Sequence, residues 1–277
     1  MGHMEHFSYG LLTPVLSYLM ACTGAAIGLR CTVRALRETG RSRRNWLMLG
    51  ATAIGSGIWT MHFIAMLGFG VSGSVIRYDV PLTLISLAVA IVVVGAGVFT
   101  VGYGEATTRS LLLGGVGTGL GVATMHYTGM AAVRVNGSVD YSTLLVVASV
   151  VIAIVAATAA LWIVTRVQDL LGAMIAALVM GLAVSSMHYT AMAALRVDVH
   201  AEHTALSGAT ALQFILPLTI GMAAFLCITS VMIAVSPMDE DPVPPAVPAL
   251  NSPAETTGTW TWRTPLERQD SGRRRRS

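Results

Sequence analysis

The 277-residue sequence contains no lysine, and only 11% of its residues are charged. Soluble domains carry about 25% charged residues, so this scarcity argues against a soluble globular protein. Hydrophobic residues make up 54% of the chain, and seven apolar runs have about the length, roughly 20 residues, that crosses a bilayer. These runs predict membrane-spanning helices at Tyr9–Cys31, Trp46–Phe69, Pro81–Tyr103, Leu111–Val133, Thr143–Thr165, Leu170–Leu195 and Leu212–Val235.

Two further absences limit the chemistry of the protein. The three cysteines, Cys22, Cys31 and Cys227, form no CxxC pair, so the sequence indicates neither a disulfide framework nor a thiolate metal site. The seven predicted spans contain no aspartate or glutamate, and the chain has no nucleotide-binding loop. Zinc hydrolase chemistry, calcium binding and enzymatic catalysis are therefore not expected.

All 17 basic residues are arginine, and their distribution predicts the membrane topology. Cytoplasmic loops of membrane proteins carry the positive excess. One side holds six arginines at the end of the first span and in the connection that follows it, two in later connections and six in the tail, whereas the other side holds three. The N-terminus is therefore expected outside and the C-terminus inside, and the net charge of +3 reflects topology rather than nucleic-acid binding.

One pattern occurs three times, with its histidines 64 and 62 residues apart. A Met-His pair is followed four residues later by a second methionine, and a glycine stands seven residues before the histidine. The copies are Gly55, Met61, His62 and Met66; Gly119, Met125, His126 and Met130; and Gly181, Met187, His188 and Met192. Seven residues make two helical turns, so glycine and histidine share a helix face, where the small residue lets a neighbouring helix approach closely.

The pattern lies in the second, fourth and sixth spans, and each of these motif helices is followed by a plainer span. The expected fold is an all-α membrane bundle over residues 1–235, built from three parallel two-helix repeats preceded by one N-terminal helix. Because the motif helices run in one direction, their histidines form one layer about 10 Å below the outer boundary. Residues 236–277 are rich in proline, end in arginines and are expected to form a disordered cytoplasmic tail.

The residue types of the repeated pattern point to metal chemistry. Histidine inside a membrane is costly and usually functional, and the methionine four residues later is its neighbour on the helix. Imidazole and thioether together suit copper, above all Cu(I), so the three histidines and six methionines are candidate copper ligands. Two alternatives stay open: axial ligation of haem by two facing histidines, and packing, with each histidine bonded to a helix carbonyl.

Other polar residues occur on the same side of the membrane as the motifs. Two groups could pass a metal inward: His200, Glu202 and His203 before the last span, and His3, Met4 and His6 near the N-terminus. Exposed charged pairs contribute little energy, so the charged residues after the motif helices are expected only to orient loops. They are Arg77, Asp79, Arg134, Asp140, Arg196 and Asp198.

The tetrapeptide Met125-His126-Tyr127-Thr128, repeated as Met187-His188-Tyr189-Thr190 and degenerate as Met61-His62-Phe63-Ile64, resembles the signature of the bacterial MHYT domain. The resemblance covers roughly Tyr9 to Val235. It implies an integral-membrane sensor of the bacterial cytoplasmic membrane, with its motifs near the outer face. It also implies that the methionines and histidines bind copper, and that the domain senses a diatomic gas (O2, CO or NO) or redox state.

Two features depart from the family pattern. Phe63 and Ile64 replace tyrosine and threonine in the first copy, so a phenol on every motif helix is not required, whereas Tyr127 and Tyr189 remain candidate site residues. Members of the family often carry a cyclic-dinucleotide or kinase output domain, and the short tail implies a separate cytoplasmic signalling partner instead. The alternative functions are copper handling or transport, which needs ligands that continue inward, and haem binding.

Overall fold

The computed structural model describes residues 4–5, 9–103, 107–166, 170–199 and 206–235. Most of them belong to seven long helices. These are α1 (Leu12–Arg37), α2 (Gly40–Leu67), α3 (Val80–Tyr103), α4 (Thr108–Ala131), α5 (Thr143–Val164), α6 (Leu170–Ala193) and α7 (Leu216–Val235), the last preceded by a π-helical turn at Ala211–Ile215. Outside the described residues lie the predicted tail, 236–277, and the candidates His3, His6, His200, Glu202 and His203.

The described chain contains six helical segments that are long and apolar enough to cross a membrane. The remaining helix, α4, has a similar length of 24 residues, but six glycines lower its hydropathy. It packs between α3 and α5, so it passes through the same layer as its neighbours. The protein is therefore a multi-pass membrane protein, and the predicted all-α bundle of seven helices is confirmed.

The helix ends differ from the prediction at both ends of the bundle. The arginine-rich connection between the first two spans is almost entirely helical, because α1 continues to Arg37 and α2 begins at Gly40. Gly40 has a φ of +57°, which allows the tight turn, and the guanidinium of Arg43 donates to the carbonyls of Ala35 and Leu36. At the other end, each motif helix finishes two residues earlier than predicted, because short strands follow.

Helices α1 to α6 form a closed ring in chain order, since each packs on the next and α6 packs back on α1. The motif helices α2, α4 and α6 alternate with the plain helices α1, α3 and α5. In the sequence α7 is the plain partner of α6, yet it packs on α1 and α2, and α1 fills the third plain position in the ring. The three parallel motif helices thus have a pseudo-threefold arrangement.

Three two-stranded antiparallel sheets lie where the motif helices finish, which we call the motif end. The pairs are β1 (Met4–Glu5) with β2 (Gly70–Val71), β3 (Arg77–Tyr78) with β4 (Val133–Arg134), and β5 (Gly137–Tyr141) with β6 (Leu195–Val199). Each pair joins the strand after a motif helix to the strand before a plain helix. Strands of two to five residues carry too little alternation to be predicted from sequence. The opposite end, where α1 finishes and α2 begins, is the arginine end.

Candidate metal centre

Three buried histidines, here called the histidine triad, meet inside the ring near the motif end. The side chains of His62, His126 and His188 are each at most 1% exposed. Their Nδ1 atoms form a nearly equilateral triangle, 3.1 Å from His62 to each of the others and 3.3 Å between His126 and His188. The ring centroids lie farther apart, at 4.8, 5.0 and 5.1 Å. The three nitrogens therefore point inward to a common centre.

Equivalent positions in the three motif helices bring the histidines together. Each histidine lies five residues before the end of its helix. The predicted glycines, Gly55, Gly119 and Gly181, lie where these helices cross their plain neighbours. A Cβ at these glycines would come within 3.0 Å of Ile91 in α3, Ile154 in α5 and Cys22 in α1, in that order. Without side chains there, the helices approach closely enough for the imidazole rings to meet.

Hydrogen bonds alone do not satisfy the triad. A neutral imidazole has one in-plane direction at Nδ1, which holds either a hydrogen or a lone pair. One hydrogen can be shared between two of the nitrogens, which leaves the third without a donor. Within the described part of the chain, Nε2 of His62 and of His126 is also buried without a hydrogen-bond partner. Each such buried polar atom costs about 1–3 kcal/mol, whereas a cation at the common centre would satisfy all three Nδ1 atoms.

The triangle has the dimensions of a three-coordinate transition-metal site. Three nitrogens about 2.0 Å from one ion in a common plane lie about 3.5 Å apart. The observed spacing of 3.1–3.3 Å differs from this by a few tenths of an ångström. Neutral imidazoles suit copper, zinc, iron and nickel. The residues of the triad therefore fit a single ion of this class.

All six motif methionines are buried, and they belong to different parts of the core. Three of them, Met66, Met130 and Met192, share an apolar cluster at the motif end with Phe69, Val71, Leu195 and Val197. Met125 and Met187 belong instead to the main core of the bundle. The structure gives these five methionines packing partners, and the ligation of copper by the six motif methionines stays a prediction.

The aromatic residue after each histidine packs edge-on against that histidine. The centroid distances are 4.7 Å for Phe63, 5.0 Å for Tyr127 and 5.0 Å for Tyr189. The Tyr127 hydroxyl bonds to Oγ of Ser149 at 2.8 Å, and Tyr189 has a corresponding bond with Ser17. Each serine donates its own hydrogen to a backbone carbonyl three residues earlier, so the phenol is the donor. The two phenols therefore anchor α4 to α5 and α6 to α1.

The first copy keeps this anchor although Phe63 has no hydroxyl. One turn before Phe63, the indole Nε1 of Trp59 donates to Oγ of Ser86 in α3 at 3.0 Å. Ser86 is the counterpart of Ser149 and also donates to a carbonyl three residues earlier. A search centred on the Met-His motif misses Trp59 and the three serines. The signal that identifies the serines is a Ser-x-x-x-Ala pattern in α1, α3 and α5: Ser17 and Ala21, Ser86 and Ala90, Ser149 and Ala153.

An ion pair at the motif end joins two neighbouring helices. Arg134 on β4 pairs with Asp79, which immediately precedes α3. The second carboxylate oxygen of Asp79 accepts a hydrogen bond of 3.1 Å from the backbone N–H of Leu82, and Arg134 also donates to Ser207. In the β5–β6 pair, Asp140 lies opposite Arg196. Asp79 and Arg134 thus tie α3 to the strand after α4, which is the loop-orienting role expected of them.

Comparison with known families agrees with this threefold site. A family model described as the N-terminal repeat of bacterial signalling proteins, MHYT, matches residues 55–115, 119–177 and 181–237. The matches cover more than half of the chain, and each begins at one of the three motif glycines. No solved structure matches the chain significantly.

Three curated bacterial proteins are similar over the membrane part. The bifunctional diguanylate cyclase/cyclic di-GMP phosphodiesterase MucR of Pseudomonas aeruginosa is 38% identical over 68% of this chain and 28% of its own length. The cyclic di-GMP phosphodiesterase NbdA of the same organism is 36% identical over 72% of this chain and 26% of its own length. The signaling protein YkoW of Bacillus subtilis is 30% identical over 68% and 24%. The chain spans about a quarter of the length of these relatives, and it belongs to the MHYT family of bacterial signalling proteins.

Proposed function

We propose that this protein is a membrane sensory module that holds one copper ion in the histidine triad and senses a diatomic gas, O2, CO or NO. The observation that carries the proposal is the convergence of three buried Nδ1 atoms at 3.1–3.3 Å. Copper in this position would supply a redox-active centre that binds such gases. The names of the relatives, which include enzymes of cyclic di-GMP metabolism, support a role in signalling.

Each group around the triad has a distinct task in this proposal. His62, His126 and His188 supply the nitrogen ligands. The motif methionines offer thioethers, which favour Cu(I) over hard cations, and the cluster of Met66, Met130 and Met192 keeps water from the motif-end side. The anchors to Ser149 and Ser17 hold Tyr127 and Tyr189, which pack against their imidazoles. The anchor to Ser86 holds Trp59, which packs against Phe63 beside His62. Fixed ring orientations keep the ligand geometry constant, as supporting hydrogen bonds do in other metal sites.

Two features of the interior favour a sensor over the alternative functions. Haem and other ligands of that size need pockets of about 300 Å³ or more, whereas the cavity beside the triad has a volume of about 60 Å³. Metal transport needs polar groups that continue towards the arginine end. The cavity on that side is lined by aliphatic side chains, two methionines and one threonine.

In the proposed arrangement the protein lies in the bacterial cytoplasmic membrane, with the motif end outside and the arginine end inside. The excess of arginine at one end supports this orientation. Helix α7 leads towards the C-terminus and packs on α1 and α2, so a change in the spacing of the ring reaches the cytoplasmic side through α7. A cytoplasmic signalling partner would receive that change.

Metal analysis of the purified full chain tests this proposal. Bound metals are measured by mass spectrometry beside an optical spectrum in the wild type and in His62→Ala, His126→Ala and His188→Ala. The matched control is Thr124→Ala, because Thr124 is an exposed residue two positions before His126. About one copper per chain, lost in the histidine variants and kept in the control, is expected, and titration with CO and O2 then follows. A Soret band, or copper that survives removal of all three histidines, contradicts the proposal.

A further inference from the structure

An apolar cavity of about 60 Å³ lies next to the triad, on the side of the arginine end. All three motif helices line it with the residues four and eight positions before their histidines. These are Ile54, Ile58, Thr118, Val122, Met180 and Val184. Met187, which immediately precedes His188, also lines the cavity. The cavity therefore begins one residue from the triad and continues towards the arginine end.

Helix α5 creates this space, because it carries small residues where α3 carries a large one. Ala153 of α5 and Ala90 of α3 lie at equivalent positions, four residues after the anchoring serines. One turn further along each helix, Ala157 of α5 corresponds to Val94 of α3, and both line the cavity. The space is thus off the threefold axis, towards α5.

The lining of the cavity does not suit water. A buried water makes about two to four hydrogen bonds to polar partners. Among the lining residues, the only side chain with oxygen or nitrogen belongs to Thr118, and its hydroxyl is buried without a hydrogen-bond partner in the described structure. Apolar cavities in proteins stay dry and bind small apolar molecules such as xenon.

The volume limits the molecules that fit. An apolar cavity of about 150 Å³ binds benzene or xenon, so one of about 60 Å³ suits an apolar molecule smaller than benzene. At the other side of the triad, the apolar cluster that contains Met66, Met130 and Met192 is closely packed against β2 and β6. The cavity of about 60 Å³ lies on the other side of the triad, towards the arginine end.

We propose that this cavity is a binding site for one small, neutral, apolar molecule of diatomic size, held beside the triad. The inference deepens the proposed sensory function and rests on it for the identity of the natural ligand. The cavity concentrates the gas from the surrounding hydrocarbon, in which apolar gases dissolve readily, and positions it one residue from the metal ligands. Ala157 sets the available volume.

Xenon binding to the metal-free full chain in lipid nanodiscs tests the site. The protein carries 13C-methyl methionine, and the methyl signals of Met180 and Met187 report on the cavity. Met48, which is 54% exposed on α2, reports on xenon dissolved in lipid. Saturable shifts are expected for Met180 and Met187, together with a linear response for Met48. A linear response at all three methyl groups overturns the proposal.

Three variants make the test specific. Ala157→Val fills the cavity and is expected to weaken xenon binding at least about fivefold. Ala159→Val, on the exposed face of the same helix, is the matched control and leaves binding unchanged. Val98→Ala enlarges the cavity and is expected to raise xenon occupancy. If Ala157→Val and Ala159→Val have the same effect, the assignment is wrong.

The outcome is separable from that of the proposed function because the assay contains no metal. Saturable xenon binding in a protein that never retains copper would contradict the copper sensor and leave the cavity site standing. A protein that binds copper through the triad but shows no saturable xenon binding would contradict the cavity site alone.

Discussion

The indole of Trp59 donates a hydrogen bond of 3.0 Å to the hydroxyl of Ser86, and so replaces the phenol that the first motif copy lacks. In the second copy Tyr127 bonds to Ser149. Trp59 lies one turn earlier in its motif helix than Tyr127 does in the next one. These two chemically different side chains nevertheless reach equivalent serines on the plain helices that follow. The missing tyrosine at Phe63 is a compensated substitution.

This relationship predicts a rescue. Trp59→Phe removes the donor while it retains most of the volume, and a typical hydrogen bond contributes about 1 kcal/mol, so the free energy of unfolding should fall by about that amount. Adding Phe63→Tyr to Trp59→Phe supplies a phenol at the position of Tyr127 and should recover part of the loss. In the wild-type background, Phe63→Tyr should not raise the free energy of unfolding, because Ser86 already accepts a hydrogen bond from Trp59. Unfolding in mixed micelles measures these differences, and equal effects of Trp59→Phe with and without Ser86→Ala would refute the anchor.

Two glycines on α4 should respond oppositely to the same substitution. A Cβ on Gly119 meets the backbone of Ile154 closer than 3.0 Å, whereas a Cβ on Gly117 meets nothing within 4 Å. Gly119→Ala is expected to destabilise the protein by about 1–3 kcal/mol through overpacking. Gly117→Ala is expected to be neutral or to stabilise by up to about 1 kcal/mol through helix propensity. Thermal unfolding in one detergent compares the pair, and similar changes in melting temperature would contradict the described helix contact.

The glycine beside His62 should control the shape of the triad. A Cβ on Gly129 would lie 2.7 Å from Nε2 of His62, while the corresponding motif positions are Ala65 and Ala191. Gly129→Ala should therefore displace the His62 ring and weaken metal binding by tenfold or more, an effect of about 1.4 kcal/mol. Ala191→Gly is the control and should leave affinity nearly unchanged. Competition with a Cu(I) chelator measures both, and equal affinities would show that the His62 ring adapts.

The ion pair at the motif end predicts a dependence of stability on pH. The backbone N–H of Leu82 and the guanidinium of Arg134 together hold the pKa of the Asp79 carboxyl below its usual range. Because the pKa is lower in the folded state, the stabilisation is complete above the ordinary value of about 3.9. It is lost as pH falls through the lower folded-state pKa. Asp79→Asn should flatten the acid limb of the stability profile, whereas Asp140→Asn, at an exposed position, should keep it. Unchanged profiles in both variants would show that Asp79 is not the group responsible.

The sequence predicts the positions of the spans and of the motif well, because both depend on strong local patterns. Apolar runs define α3 and α5 within one residue of each end, and the spacing of the motif places the histidines at equivalent helix positions. The arginine-rich end of α1 was predicted as a connection, because a hydropathy pattern registers the end of the bilayer and not the end of the helix. The end of the apolar run and the end of the helix coincide in α3, whereas α1 continues past the end of its apolar run.

Other features depend on contacts between distant segments, which single-sequence patterns do not contain. The place of α1 in the ring follows from packing of Gly181 on Cys22, residues far apart in the chain. The Trp59–Ser86 bond joins α2 to α3 across 27 residues of sequence. The other two motif copies have no tryptophan at the position of Trp59. The cavity results from the size of side chains such as Ala157, which appears in the sequence as one more apolar residue of an apolar helix.

X-ray absorption spectroscopy of the copper-loaded full chain tests the central claim most directly, because it counts the atoms bound to the metal. The account predicts one copper per chain with three histidine nitrogens at about 2.0 Å, and loss of the imidazole signal when His62, His126 and His188 are replaced together. Thioether sulfur in addition to these nitrogens would identify the methionine ligands. A copper environment without imidazole, or one unchanged by loss of the three histidines, would contradict the account.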